Sequence, residues 1–167
     1  MRPQSACFLA AKSEDARAIV GNNLHEEIRD CHPGMLRKFV RGAGVIQEDL
    51  HSAAIESNLA RVRSFVSHLS PTALIAMMAF FEMFIQRFMS TLEEIAALQG
   101  SVEFEYTRVH GTCDIVHSEE LVHALEAEIA LVPPSQNIYA DLFEGVEHLR
   151  GLIQDIVFGP DPGASKI

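Results

Sequence analysis

An all-helical bundle of about six to seven helices is the fold this sequence predicts, and three observations predict it. Leu, Ala, Ile and Met crowd the long segments while aromatic residues make up only 7% and Trp is absent, a make-up of packed helices rather than of a β-sandwich. Apolar residues recur at helical spacing through most of the chain. Gly and Pro punctuate these stretches, and neither an internal repeat nor a low-complexity linker interrupts them. At 167 residues the chain has room for one domain with a single core.

Each element follows from local chemistry. Residues 1–12 are expected to be loose. Ser13 is a good N-cap, and Glu14 and Asp15 supply the acidic first turn of a helix reaching about Asp30. Pro33 stops it. His32, before a proline, is biased toward extended backbone, so a kink is expected there, and Pro33 suits the start of a helix to about Val40. After Gly42 and Gly44 a helix from about Gln47 to Leu69 turns Ile55, Leu59, Val62, Val66 and Leu69 to the core.

Ser70 and Pro71 open the next helix, apolar almost all round from Ala73 to Ile85 and therefore the most buried, with Glu82 its one charge there. A break at Gly100 and Ser101 precedes a helix from about Glu103 through Leu131, which Pro133 and Pro134 end. The last helix, about Gln136 to Phe158, carries Ile138, Leu142, Val146, Leu149, Ile153 and Ile156 on one stripe. Residues 159–167 form a loose tail.

Composition excludes several classes of function. A net charge of -10 with no Lys/Arg cluster argues against nucleic acid as a partner, because phosphate neutralisation needs such clusters. Cys7, Cys31 and Cys113 are odd in number and form no C-x-x-C pair, so neither a disulfide framework nor a structural zinc site is expected; a reducing cytoplasm fits. The longest apolar stretch, Thr72 to Ile85, is shorter than the roughly 20 residues that cross a bilayer, so no membrane partner is expected.

His110, Asp114 and His117 are spaced by four and three residues, which places two imidazoles and a carboxylate within about 60° on one helix face. Leu121, Ala124 and Leu125 continue that face, so the triplet points toward the core, where an unpaired Asp is costly. Nitrogen and oxygen donors together suit Fe(II), with Mn possible, and leave positions open for dioxygen. Glu82 poses the same problem in an apolar helix with no Lys or Arg at i±3 or i±4. It is either a metal ligand or the partner of an Arg from another helix, such as Arg61 or Arg63. In Asn23-Leu24-His25-Glu26-Glu27, helical phase with Val20 and Leu24 turns Glu27 inward, with Glu26 as the alternative, and the kink brings His32 to the end of that face.

The order Asn-Leu-x-x-Glu, His-Pro, a lone Glu in an apolar helix and then His-x-x-x-Asp-x-x-His resembles the haem-oxygenase-like diiron oxidases, related to the pyrroloquinoline quinone synthase and thiaminase group. The resemblance spans about Ala16 to Glu128. It implies an up-and-down bundle of about seven helices, here without the leading helix that most members carry. By resemblance the metal ligands are Glu27, His32, Glu82, His110, Asp114 and His117, and the cofactor is Fe(II), as two ions. The implied reaction uses dioxygen, and an external electron donor where one is needed, for N-oxygenation, desaturation or carbon-carbon cleavage of a small, amino-acid-like substrate. The short N-terminus makes a homodimer a reasonable expectation.

Two other readings stand beside it. Glu48-x-x-His51 and Glu120-x-x-His123, with Glu27 and Glu82, mimic the ligand order of ferritin-like proteins, although His123 falls about 120° from His117, on a charged face. A non-catalytic helical protein that binds a ligand or partner is the other. Met77, Met78, Phe80, Phe81, Met83 and Phe84 are expected to pack the core, and Tyr106 and Tyr139 are left unassigned. Gly111 and Thr112 should make their turn only marginally helical by itself.

Overall fold

The computed structural model describes residues 3–44, 53–139 and 141–158, and among them every regular element is a helix. In chain order these are α1 (Pro3–Ala10), α2 (Glu14–Arg29), α3 (His32–Gly42), α4 (Ala53–His68), α5 (Pro71–Leu98), α6 (Glu105–Ile129) and α7 (Glu144–Phe158). The caps are the expected ones. The Ser13 hydroxyl accepts the Ala16 N–H at 3.3 Å, and the Ser70 hydroxyl accepts the Ala73 N–H at 3.2 Å with Pro71 in the first turn, so each helix start has one orphan donor satisfied.

α5 and α6 form the long antiparallel hairpin at the centre, tied by Thr107 Oγ1 donating to Glu93 at 2.8 Å. α2 and α3 pack on α6, whereas α1 and α7 cover the other side of α5 with α4 outside them. Along α5 every residue from Thr72 to Ala79 is buried. By length and composition α5 alone among the described residues could cross a membrane, but 56% of its most apolar window is buried inside the bundle and Glu82 lies within it.

Four local expectations are corrected. Residues 3–10 are not loose: α1 buries Cys7 completely, and the Glu128 carboxylate accepts the backbone N–H groups of Lys12 at 3.0 Å and Ser13 at 2.9 Å, pinning the α1–α2 junction to α6. The run from Cys7 to Ala11 is too short to be a stable helix alone, and packing supplies what propensity lacks. His32 is helical rather than extended. The sharp turn belongs to Cys31, which takes the left-handed conformation at φ 59° and lets α3 begin at His32.

α7 starts at Glu144 rather than near Gln136, because Asn137 Oδ1 accepts the Tyr139 N–H at 3.0 Å and holds a turn that competes with helix. Gly145 then packs so tightly that an added Cβ would meet Leu69 Cδ1 at 2.8 Å and Met77 Cβ at 2.9 Å. Leu59 is half-exposed, since α4 is an outer helix, while Val66 and Leu69 are buried. Residues 47–52, including Glu48 and His51, lie outside the described residues, as do the side chains of Ile55 and Ile156 and the tail 159–167.

Candidate metal centre

Four helices bring the centre together. α6 supplies His110, Asp114 and His117, all buried on one face; α5 supplies Glu82; the end of α2 supplies Glu26 and Glu27; and the tight turn at Cys31 swings His32 back toward that end. Because α2 runs antiparallel to α6, its last turn meets the first half of α6. The six residues picked out by sequence are thus gathered in one region, and so is Glu26.

The contacts divide them into two groups. In the first, Glu27 Oε1 lies 2.7 Å from His32 Nδ1 and 3.8 Å from His110 Nε2, and the two rings meet edge to face at 4.6 Å between centroids. In the second, Asp114 Oδ1 lies 3.8 Å from His117 Nδ1 and 3.2 Å from Cys113 Sγ, which donates to it. Each group places its ligand atoms within 4.8 Å of one another, the reach of a single cation.

The histidine tautomers are set by neighbours. His110 Nδ1 is 3.0 Å from the Tyr106 carbonyl, which can only accept, so the ring carries its proton there and leaves Nε2 free toward Glu27. Glu26 Oε2 sits 3.0 Å from His117 Nε2, and that contact holds the Glu26 carboxyl below the usual range. A proton on His117 Nε2 leaves Nδ1 free toward Asp114. Glu26 and Glu27 therefore have different partners, where the sequence offered them as alternatives.

The electrostatics are unbalanced. Burial, then the carboxylates of Asp114 and Glu27, push Glu82 up to about 8, and burial likewise raises Asp114. Among the described residues no Lys or Arg pairs with Glu27, Glu82 or Asp114. Arg61 pairs with Asp155 instead, and Arg63 is exposed. Asp114 is fully buried, yet its Oδ2 has no hydrogen-bond partner. A buried carboxylate oxygen without a donor, three clustered acids without a cation and imidazole nitrogens with free lone pairs all fit a bound divalent metal.

Three further residues belong here. Tyr106 packs tilted against His110 at 4.2 Å between centroids, with Phe39 behind it, and its hydroxyl is pushed up to about 12 by burial and the nearby acids. Cys113 joins the second group, and its place three residues after His110 and four before His117 was the available signal. Asn23, one turn before Glu26 and Glu27, is buried with both amide atoms unpartnered. His123 is exposed and lies 3.3 Å from Glu126, so the Glu120-x-x-His123 half of a ferritin-like site is outside the centre.

No curated protein and no solved structure matches this chain. One family model does, over residues 3–147, and it describes iron-containing redox enzymes of haem-oxygenase-like type. With a match over most of its length and a helical bundle closing on a nitrogen and oxygen donor set, the chain belongs to that family of iron-containing redox enzymes.

Proposed function

We propose that this protein is a non-haem diiron oxidase or oxygenase that uses dioxygen to oxidise a small metabolite. The observation that carries this reading is the division of the donors into two groups, with Glu82 coupled electrostatically to a carboxylate of each. Glu27, His32 and His110 would hold one ion and Asp114 and His117, with Cys113 beside them, the other, and Glu82 would supply a further carboxylate. Mn(II) suits the same donors. Reduced iron, when bound, supplies electrons and open coordination positions for dioxygen.

The side chains perform the rest. The Tyr106 carbonyl keeps the His110 proton on Nδ1, and Glu26 keeps that of His117 on Nε2, so each imidazole presents a lone pair without reorganisation. Phe39 and the Tyr106 ring shield the His110 side from water. Asn23, one turn before Glu26 and Glu27 on α2, holds a buried amide donor and acceptor without a partner, which an amine or carboxylate of an amino-acid-like substrate would satisfy.

Anaerobic Fe(II) titration read by Mössbauer spectroscopy tests this, followed by oxygen exposure. Two equivalents bound, oxygen consumed, and one or none bound after His110→Ala or Asp114→Ala is the expected result. One equivalent in the unaltered protein would make the centre mononuclear. No iron in a folded protein, with Glu82→Ala changing nothing, would favour a non-catalytic binding protein.

A further inference from the structure

α7 covers α5 only along its first half, through Gly145, Leu149 and Leu152. Beyond that the outward face of α5 carries Phe84, Phe88, Thr91, Ile95 and Leu98, spaced four, three, four and three residues apart. That is the heptad seam of a coiled coil, with Phe84, Thr91 and Leu98 at one core position and Phe88 and Ile95 at the other. In the single chain the seam faces outward: Phe84 is 42% exposed, Phe88 37%, Ile95 44% and Leu98 89%. Phe84 and Phe88 stack on each other at 5.7 Å rather than under a covering element. Phe80, Phe84, Phe88, Ile95 and Leu98 together expose roughly 500 Å², large for a patch on a monomer.

We infer that this seam is the interface for a second copy of the same chain, packed antiparallel about a two-fold axis midway between Phe88 and Thr91. The charges at its edge choose the occupant and the direction. Arg87 and Glu94 are exposed, occupy the same heptad position one repeat apart, and form no ion pair among the described residues. Equivalent edge positions meet each other in antiparallel pairs, so Arg87 faces the partner's Glu94 twice by symmetry.

One register satisfies the core and the edges together. Setting Phe84 against the partner's Ile95 and Phe88 against the partner's Thr91 places Arg87 beside the partner's Glu94 on one edge. The same setting places half-buried Ile85 beside the partner's Leu92 on the other. A seam with this much apolar area can form the centre of an interface of ordinary size, about 800 Å² per partner.

Sedimentation equilibrium of the full-length protein provides the test. The expected mass is twice 18.5 kDa. Phe88→Glu should weaken association by at least about 30-fold with unchanged helicity and iron stoichiometry. Arg87→Glu or Glu94→Arg alone should weaken it about tenfold, and the two together should restore it, because the exchanged pair meets across the same axis. The two charge variants alter exposed side chains and keep the test valid should Phe88→Glu fail to fold. A monomer at 100-fold dilution series concentrations throughout, a dimer indifferent to these changes, or single variants not rescued by the double exchange would overturn the inference. So would co-flotation of the protein with phosphatidylcholine vesicles that is lost in Phe88→Glu, since the seam would then serve a lipid surface.

Discussion

The two sides of α5 differ in what they need. The side facing α1 and α7 is apolar: Leu74, Met77 and Met78 are buried there, and a cavity of about 230 Å³ is walled by Val62, Phe65, Met77, Phe81 and Leu149. The side facing α2, α3 and α6 holds Glu82 among Glu27, Asp114 and three histidines. Along its first half the apolar side is completed by the chain's own atoms and stabilises through burial. The polar side gathers acids that repel one another and an oxygen with no donor, so it is completed only when a cation joins it.

That contrast is sharpest when metal is added or withheld. Fe(II) at about 1,000 times its dissociation constant should add roughly 4 kcal/mol and raise Tm by about 10 °C, and His110→Ala should cut the rise at least by half while leaving the metal-free Tm nearly unchanged. Differential scanning calorimetry under anaerobic conditions measures both. A substitution on the apolar side should act without regard to metal. Gly145→Leu, which forces a Cβ against Leu69 and Met77, should cost about 1–3 kcal/mol in metal-free and loaded protein alike. A cost confined to one form would break the comparison.

The polar side should also respond to pH. Glu82 holds its proton in the folded, metal-free protein up to about pH 8 and loses it near the ordinary carboxylate value when unfolded. Between those values the folded state binds the extra proton, so stability is full below about pH 4.5 and declines as pH rises toward 8. Glu82→Gln should flatten that decline in urea titrations across the range. The smallest effect is expected at Gly111, in the second turn of α6, where an added Cβ meets Met89 at an ordinary 3.7 Å. Gly111→Ala should stabilise the protein by about 0.5–1 kcal/mol without changing iron stoichiometry.

Much of the architecture was legible before any coordinates. Ser13 and Ser70 announced two helix starts by their chemistry, and the Gly and Pro breaks separated α5 and α6 close to their observed limits. The spacing of His110, Asp114 and His117 was enough to put them on one buried face. Elsewhere local rules competed and lost. Residue 32 obeys the helix that Cys31 starts rather than the bias imposed by Pro33, and the stretch around Gly111 and Thr112 is continuous helix because α6 lies against α5 along its length. Of the six apolar residues around Glu82 expected to pack the core, Met77 and Met78 are buried, whereas Phe80 and Phe84 remain about two-fifths exposed.

What the sequence by itself determined are the relations within one helix: which residues share a face, where a helix begins, and that acids lie among apolar neighbours. Helical pitch makes those relations a matter of spacing. Only the tertiary structure decided that Glu27 meets His32 and His110 while its neighbour Glu26 meets His117, that a short first helix packs with Cys7 buried, and that the outward face of the second half of α5 is left uncovered. Those outcomes depend on how helices remote in sequence align and cross, and that register is set by the packing of whole faces rather than by any local pattern.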